Sequence, residues 1–220
     1  MARRRRGPVI GLGLPPGEMS VLCIGAHPDD IEIGCGGTLL ALAARDGVTF
    51  HSVILTGSSE RHAEARMAAS LFLGDACAEV ITHSLADGRL PASWAQVKDR
   101  LESIAVRIKP NLILVPRRDD AHQDHRLLGE LVTTVWRDSL VLHYEIPKWD
   151  GDIGPVTHYV ALSAEHAQRK VELLHSAFPS QHGRDWWIAE TFLALMRLRG
   201  MECRAPYAEA FIAHKVLLAL

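Results

Sequence analysis

The chain has no uninterrupted apolar run near the roughly 20 residues that a membrane helix needs, so no span is expected. Its one basic cluster, "ARRRRG" at residues 2–7, is followed by "PVIGLGLPPGEM", too short and too broken by proline and glycine for a signal peptide. Cysteines are few: four, with no C-x-x-C pair, so reduced thiols in a cytoplasmic protein are expected rather than a disulfide frame. Charge of one sign is also missing. With 24 basic and 26 acidic residues the net charge is −2, and that balance points to neither nucleic acid nor a membrane surface. Repeats, linkers and low-complexity segments are absent after residue 18.

What is present is a core. Of 220 residues 48% are hydrophobic, enough for one substantial domain. Residues 1–18 read as a disordered basic tail and residues 19–220 as one α/β domain. Apolar runs predict strands at 20–26, 48–56, 78–83, 111–116, 141–146 and 158–162. Between them lie amphipathic segments. A helix is expected at 37–45, another capped by Ser59 and ending at Gly74, and a third from a Ser93/Gln96 capping box toward Lys109-Pro110. A fourth spans 126–137 and a fifth is capped by Ser163. Strands alternating with helices of this length predict a mostly parallel sheet with helices on both faces.

In such sheets ligands bind beyond the carboxyl ends of the strands. Two polar clusters fall there. "HPDD" (His27 to Asp30) follows the first strand, and "RRDDAHQDH" (Arg117 to His125) follows the strand "NLILVP". His27 and Asp30 are three apart, as are His122 and His125, with Asp124 between the latter pair. This gives five candidate groups for the three protein ligands of an open hydrolytic Zn²⁺ site, the groups left over being free to move protons. Fe²⁺ fits the same donors.

"AHPDDIEIGCGGTL" and "DDAHQDHR" resemble the two signature motifs of the LmbE-like/PIG-L family of metal-dependent N-deacetylases, and "RHAEARMAASLFLG", "HYEIP", "PSQHG" and "YAEAF" follow in the family's order. The resemblance covers about residues 20 to 212 and implies a Rossmann-like fold. It further implies that His27, Asp30 and His125 hold Zn²⁺, that Asp29 is the general base, and that His122, oriented by Asp124, stabilises the oxyanion or protonates the leaving amine. The substrate it implies is a small N-acetylated sugar or glycoconjugate. Many members carry Glu directly after the Asp-Asp pair, where this chain has Ile31 and then Glu32.

Arg61 and Glu64 follow the second strand and are candidates to grip substrate, against a solvated i,i+3 ion pair. The glycines of "GCGG" are read as letting the backbone pass close to the metal site, and Trp186-Trp187 as a sugar wall or as core. Specificity is assigned to the loops 85–93 and 148–155. Three rivals are weighed. "GLGLPPG" lacks the strand-to-helix context of a dinucleotide site. A non-haem Fe(II) oxygenase would use His27 and Asp29 with a distant histidine, but on a β-rich jelly roll. A non-catalytic binding module would not need both motifs intact. The sequence leaves the oligomeric state open and is compatible with a homo-oligomer.

Overall fold

In the computed structural model, which describes residue 11 and residues 13–217, the two signature segments emerge from adjacent parallel strands. The order of elements is β1 (Met19–Gly25), α1 (Asp30–Ala43), β2 (Val48–Thr56), α2 (Ser59–Leu73), β3 (Cys77–Leu85), α3 (Trp94–Arg107) and β4 (Leu112–Pro116). There follow α4 (Gln123–Val135), β5 (Leu140–Tyr144), β6 (His158–Leu162), α5 (Ala164–Ala177), α6 (Ala189–Cys203) and β7 (Tyr207–Ile212). The strands form one sheet in the order β3-β2-β1-β4-β5-β7-β6. The first five run parallel, while β7 is antiparallel to both of its neighbours.

Each face carries its own apolar layer. Val21, Cys23, Phe50 and Leu114 face α1, α2, α5 and α6, whereas Leu22, Ile24, Val53, Ile113 and Val115 face α3 and α4. The alternation along β1 and β4 is the two-residue period of a strand buried on both sides. Strand order reverses between β1 and β4, so their carboxyl ends open the crevice where doubly wound sheets bind ligands. The basic run at residues 2–7 lies outside the described residues. Among the described residues no helix is long and apolar enough to cross a membrane, and all four cysteines are free.

The helix expected at 37–45 begins seven residues earlier, at Asp30, so the glycine cluster lies inside α1. A Cβ at Gly34 would sit 2.2 Å from the Tyr144 ring, one at Gly36 2.7 Å from Phe72, and one at Gly37 2.5 Å from Leu162. The glycines therefore give clearance to core side chains of β5, α2 and β6 rather than to the metal-site backbone. The helix breaks at Cys35 (φ −143°, ψ 20°), which frees main-chain groups from the helical ladder. Two buried charges take them up. Lys170 Nζ donates to Ile33 O at 2.6 Å and pairs with Glu209 Oε1 at 2.6 Å, while Glu209 accepts from the N–H groups of Gly37 (2.8 Å) and Thr38 (2.6 Å).

Caps differ in detail from expectation. Ser58, not Ser59, accepts from Arg61 N–H at the start of α2. Ser93 makes no side-chain cap bond, because a 3₁₀ turn over Leu90–Ser93 leads into α3. The antiparallel β7 is an additional strand, whose buried Glu209 in an otherwise apolar run masks its pattern.

Candidate metal centre and active site

The turn after β1 is built around Asp30. Its Oδ2 accepts from the N–H groups of Ala26 (2.8 Å) and His27 (2.9 Å), which fixes the carboxylate at the first turn of α1 and leaves Oδ1 toward α4. His125, in the first turn of α4, places Nε2 3.2 Å from Asp30 Oδ1 and 3.2 Å from His27 Nδ1. His27 Nδ1 lies 3.4 Å from Asp30 Oδ2. Metal bonds of about 2.0–2.1 Å at tetrahedral angles separate ligand atoms by roughly 3.3–3.4 Å. The three side chains therefore fit one small cation, through two imidazole nitrogens and the Asp30 carboxylate, whose Oδ1 faces His125 and whose Oδ2 faces His27. A wider ring of His27, His122 and His125 also falls within reach of one ion, as does His27 with Asp87 and Asp124.

The electrostatics agree with that fit. Burial alone would lower His27, but the carboxylates of Asp30, Asp124 and Asp87 outweigh it and push its pKa up to about 12. Against the same effect of burial, Asp30 and Asp120 push His125 up to about 9. Asp30 is buried too, yet His125 and His27 hold it well below the usual carboxylate range. A group of buried carboxylates that stabilises positive charge this strongly suits a cation.

Behind the cluster stands a residue that the sequence did not single out. Asp120 Oδ2 lies 3.1 Å from His125 Nδ1, and Oδ1 accepts from His122 N–H at 2.8 Å and faces Lys148 Nζ at 2.9 Å. Burial raises Asp120, but His125 and Lys148 bring it down to about 2. A carboxylate on the rear nitrogen fixes the tautomer of a ligating histidine. Replacing Asp120 with asparagine is expected to weaken metal affinity about 10- to 100-fold; competition with a fluorescent chelator measures it, at a temperature where the metal-free variant is still folded.

Asp124 is placed differently from the role the resemblance implies. Its carboxylate accepts from the N–H groups of Gly88 (2.8 Å) and Leu90 (3.0 Å), tying the loop after β3 to α4, and lies 3.4 Å from His27 Nε2. Its link to His122 is through the main chain: Asp124 N–H donates to His122 Nδ1 at 3.2 Å, with His122 as the N-cap of α4. That acceptor role puts the proton of a neutral His122 on Nε2. Burial, reinforced by the charges of His125 and His27, lowers the His122 pKa and keeps the ring neutral.

Asp29 occupies the N-cap position of α1 at φ 126°, ψ −23°, a conformation that disfavours any residue with a Cβ. Its side chain does not cap the helix. Instead Oδ2 meets Arg61 at 2.7 Å. Burial raises the Asp29 pKa; Arg61 pulls it back and Asp30 raises it again, leaving it at about 7. Arg61 also donates to Pro28 O, Glu64 and Ser180 Oγ, and it lines the cavity. Glu64 does not line it: the carboxylate is buried behind Arg61 and accepts from Ser180 N–H (2.9 Å) and Oγ (2.8 Å). Neither residue belongs to a solvated pair.

Ile31 is core, packed with Ile33 and Leu39. Glu32 is buried and has no cationic partner within ion-pair distance among the described residues, and burial raises its pKa to about 8. A cavity of about 650 Å³ is lined by His27, Asp29, Asp30, His122 and His125 together with Trp149, Arg184 and Trp186. Trp187 turns away into the core against Phe178 and Phe192.

Comparison with known proteins gives the same direction from three sides. Residues 22–136 match the profile of the PIG-L family, GlcNAc-PI de-N-acetylase. The uncharacterized deacetylase YaiS of Escherichia coli is 34% identical over 140 residues, 58% of this chain and 74% of the relative. Among solved structures, the conserved protein TT1542 of Thermus thermophilus superimposes with a TM-score of 0.73 at 22% identity, covering 92% of this chain and 97% of the other. The N,N'-diacetylchitobiose deacetylase of Pyrococcus horikoshii does so at 0.70 and 22% identity, covering 89% and 83%. At that identity the two likenesses speak for the fold.

Proposed function

Since the chain belongs to the PIG-L family of de-N-acetylases, which are amide hydrolases, we propose that it removes the acetyl group from an N-acetylated amino sugar or glycoconjugate in a Zn²⁺-dependent hydrolysis. The observation that carries this reading is the meeting of His27 Nδ1, Asp30 and His125 Nε2 within 3.4 Å of one another, in the cavity that Asp29 and His122 also line. His27, Asp30 and His125 would hold the ion. A divalent cation bound there supplies Lewis-acid polarisation of the amide carbonyl and acidifies water.

The chain's own residues do the rest. Asp29, held off the ligand set by Arg61, takes the proton of the attacking water at Oδ. Water oxygen bonds to the carbonyl carbon, the C–N bond breaks, and Asp29 passes the proton it took from the water to the leaving nitrogen, which restores its carboxylate. His122 offers Nε2–H to the carbonyl oxygen as charge develops on it, a donor already oriented by the helix cap at Nδ1. Asp120 and Asp124 hold the two ligating histidines from behind. Arg61 both positions Asp29 and reaches substrate hydroxyls.

The oxygenase alternative expected a β-rich jelly roll, and the observed sheet is mostly parallel with helices on both faces. Acetate release from a panel of N-acetylglucosaminides, with Zn²⁺ or Fe²⁺ and with chelator, tests the proposal. Release that chelator abolishes and metal restores is the expected result. A folded, metal-loaded enzyme that releases acetate from none of the panel refutes it.

A further inference from the structure

A second cavity, of about 210 Å³, shares no lining residue with the one at the metal centre. It lies where the loop after β4, the end of α4, strand β5 and the segment after β7 meet. Its charged lining is of one sign: Arg118, Arg137 and Lys215 contribute, beside His143 and His214, and no carboxylate does. Among the described residues, neither the Arg118 nor the Arg137 guanidinium has a hydrogen-bond or ion-pair partner. Asp119, next to Arg118, is already taken by Arg117, whose Nε and Nη2 donate to it at 3.0 and 2.8 Å. Asp138, next to Arg137, lines a neighbouring hollow with Lys109. Lys215 donates to Arg137 O and so ties the segment after β7 to the end of α4. Cations gathered around a hollow without acids to balance them draw in an anion.

One buried group adds a different demand. His143 is 1% exposed, and its Nδ1 lies 3.0 Å from Pro116 O, an atom that can only accept. Nδ1 therefore carries the ring proton, and Nε2 presents a lone pair that has no partner among the described residues. A second proton on the ring is disfavoured. Burial lowers the His143 pKa, and against the Pro116 bond the charges of His214 and Arg118 lower it further, to about 4. At neutral pH the cavity thus combines several N–H donors with one buried acceptor. Sulfate, which has no proton, answers the cations but meets the Nε2 lone pair with another lone pair. Hydrogen phosphate answers both, because it keeps an O–H at neutral pH. Size admits either ion: about 210 Å³ is the volume of roughly seven waters at ~30 Å³ each.

We infer that this second cavity binds an oxyanion that still carries an O–H, of which hydrogen phosphate is the defining case, with Arg118 and Arg137 holding its charge and His143 Nε2 accepting its O–H. The exposed His214 side chain, packed edge to face on the His143 ring with centroids 5.1 Å apart, swings aside to admit it. The site stands apart from the metal centre and does not depend on the deacetylase reading.

The test is calorimetric titration of the metal-loaded protein with inorganic phosphate, sulfate and glycerol 3-phosphate at neutral pH. At least one of the two phosphates should bind wild type about tenfold or more tightly than sulfate, since a site that pairs a ligand O–H rejects the analogue without it. Which one it is separates free phosphate from a phosphorylated hydroxyl compound. Arg118→Ala combined with Arg137→Ala removes two exposed side chains and leaves the core alone; it should weaken that binding about tenfold or more. His143→Asn keeps a donor for Pro116 O and deletes the acceptor, so it should bring phosphate and sulfate within about twofold of each other. No binding, equal affinity for phosphates and sulfate in wild type, or a preference that survives His143→Asn overturns the assignment. Phosphate binding undiminished in the double arginine variant puts the ion at the metal centre and overturns it as well.

Discussion

An Asp29→Asn enzyme should turn over about 10²–10⁴ times more slowly than wild type while keeping its metal, because a general base contributes that much and Asp29 is not among the fitted ligands. Single-turnover acetate release and metal content by emission spectroscopy measure the two halves. The companion variant Asp29→Gly should be equally slow and yet no less stable. Asp29 sits at φ 126°, which costs a residue with a Cβ on the order of 1–3 kcal/mol and costs glycine little.

The charge of Asp29 works in the same direction. In the metal-free protein its pKa lies near 7, against 3.8 for a free carboxyl. A carboxyl raised by folding contributes stability that is complete below about 3.8 and lost as pH rises to about 7. At pH 8 the loss is already complete, so deleting the carboxylate takes no stability with it. The melting temperature of chelated Asp29→Gly at pH 8 should equal or exceed that of wild type by a few degrees. A clear fall would show that the contact with Arg61, not catalysis, explains the strained geometry.

The second large effect is on stability. Glu209→Ala should destabilise the protein by about 3–5 kcal/mol, since it leaves Lys170 charged in the core with a single main-chain acceptor. For a chain of this size that is on the order of 10 °C in melting temperature. The same substitution strands the N–H groups of Gly37 and Thr38 at the break in α1. Lys170→Met combined with Glu209→Gln should recover part of the loss, because an amide still accepts from those groups and no lone charge is buried. Denaturant unfolding of both single variants and the double variant gives the coupling directly. Additivity would mean that the two charges act independently.

The meeting of the two polar clusters was legible because each breaks a rule. Histidines and aspartates directly after fully apolar strands serve no packing purpose, and two such breaks at one sheet edge imply each other. Asp120 was legible only as one of several acids in "RRDDAHQDH"; its place behind His125 depends on how α4 starts, which spacing does not give. The beginning of α1 was hidden for a different reason. Glycines disfavour helices intrinsically, and here the tight approach of Tyr144, Phe72 and Leu162 overrides that preference. Glu209 hid β7 because a buried carboxylate has the sequence signature of a surface residue. Adjacent tryptophans divide, Trp186 lining the cavity and Trp187 packing in the core, which composition alone does not give.

His27 and His125 meet across 98 positions of chain, joined by the side-by-side pairing of β1 and β4. Bringing two such distant points together costs a flexible chain roughly 4 kcal/mol of closure entropy, which the sheet meets once on folding. An ion held between them consequently acts as a reversible cross-link over nearly half the polypeptide. No fragment ending before α4 contains both halves of the clasp, so occupancy of such a centre would report that β1, β4 and α4 have come together.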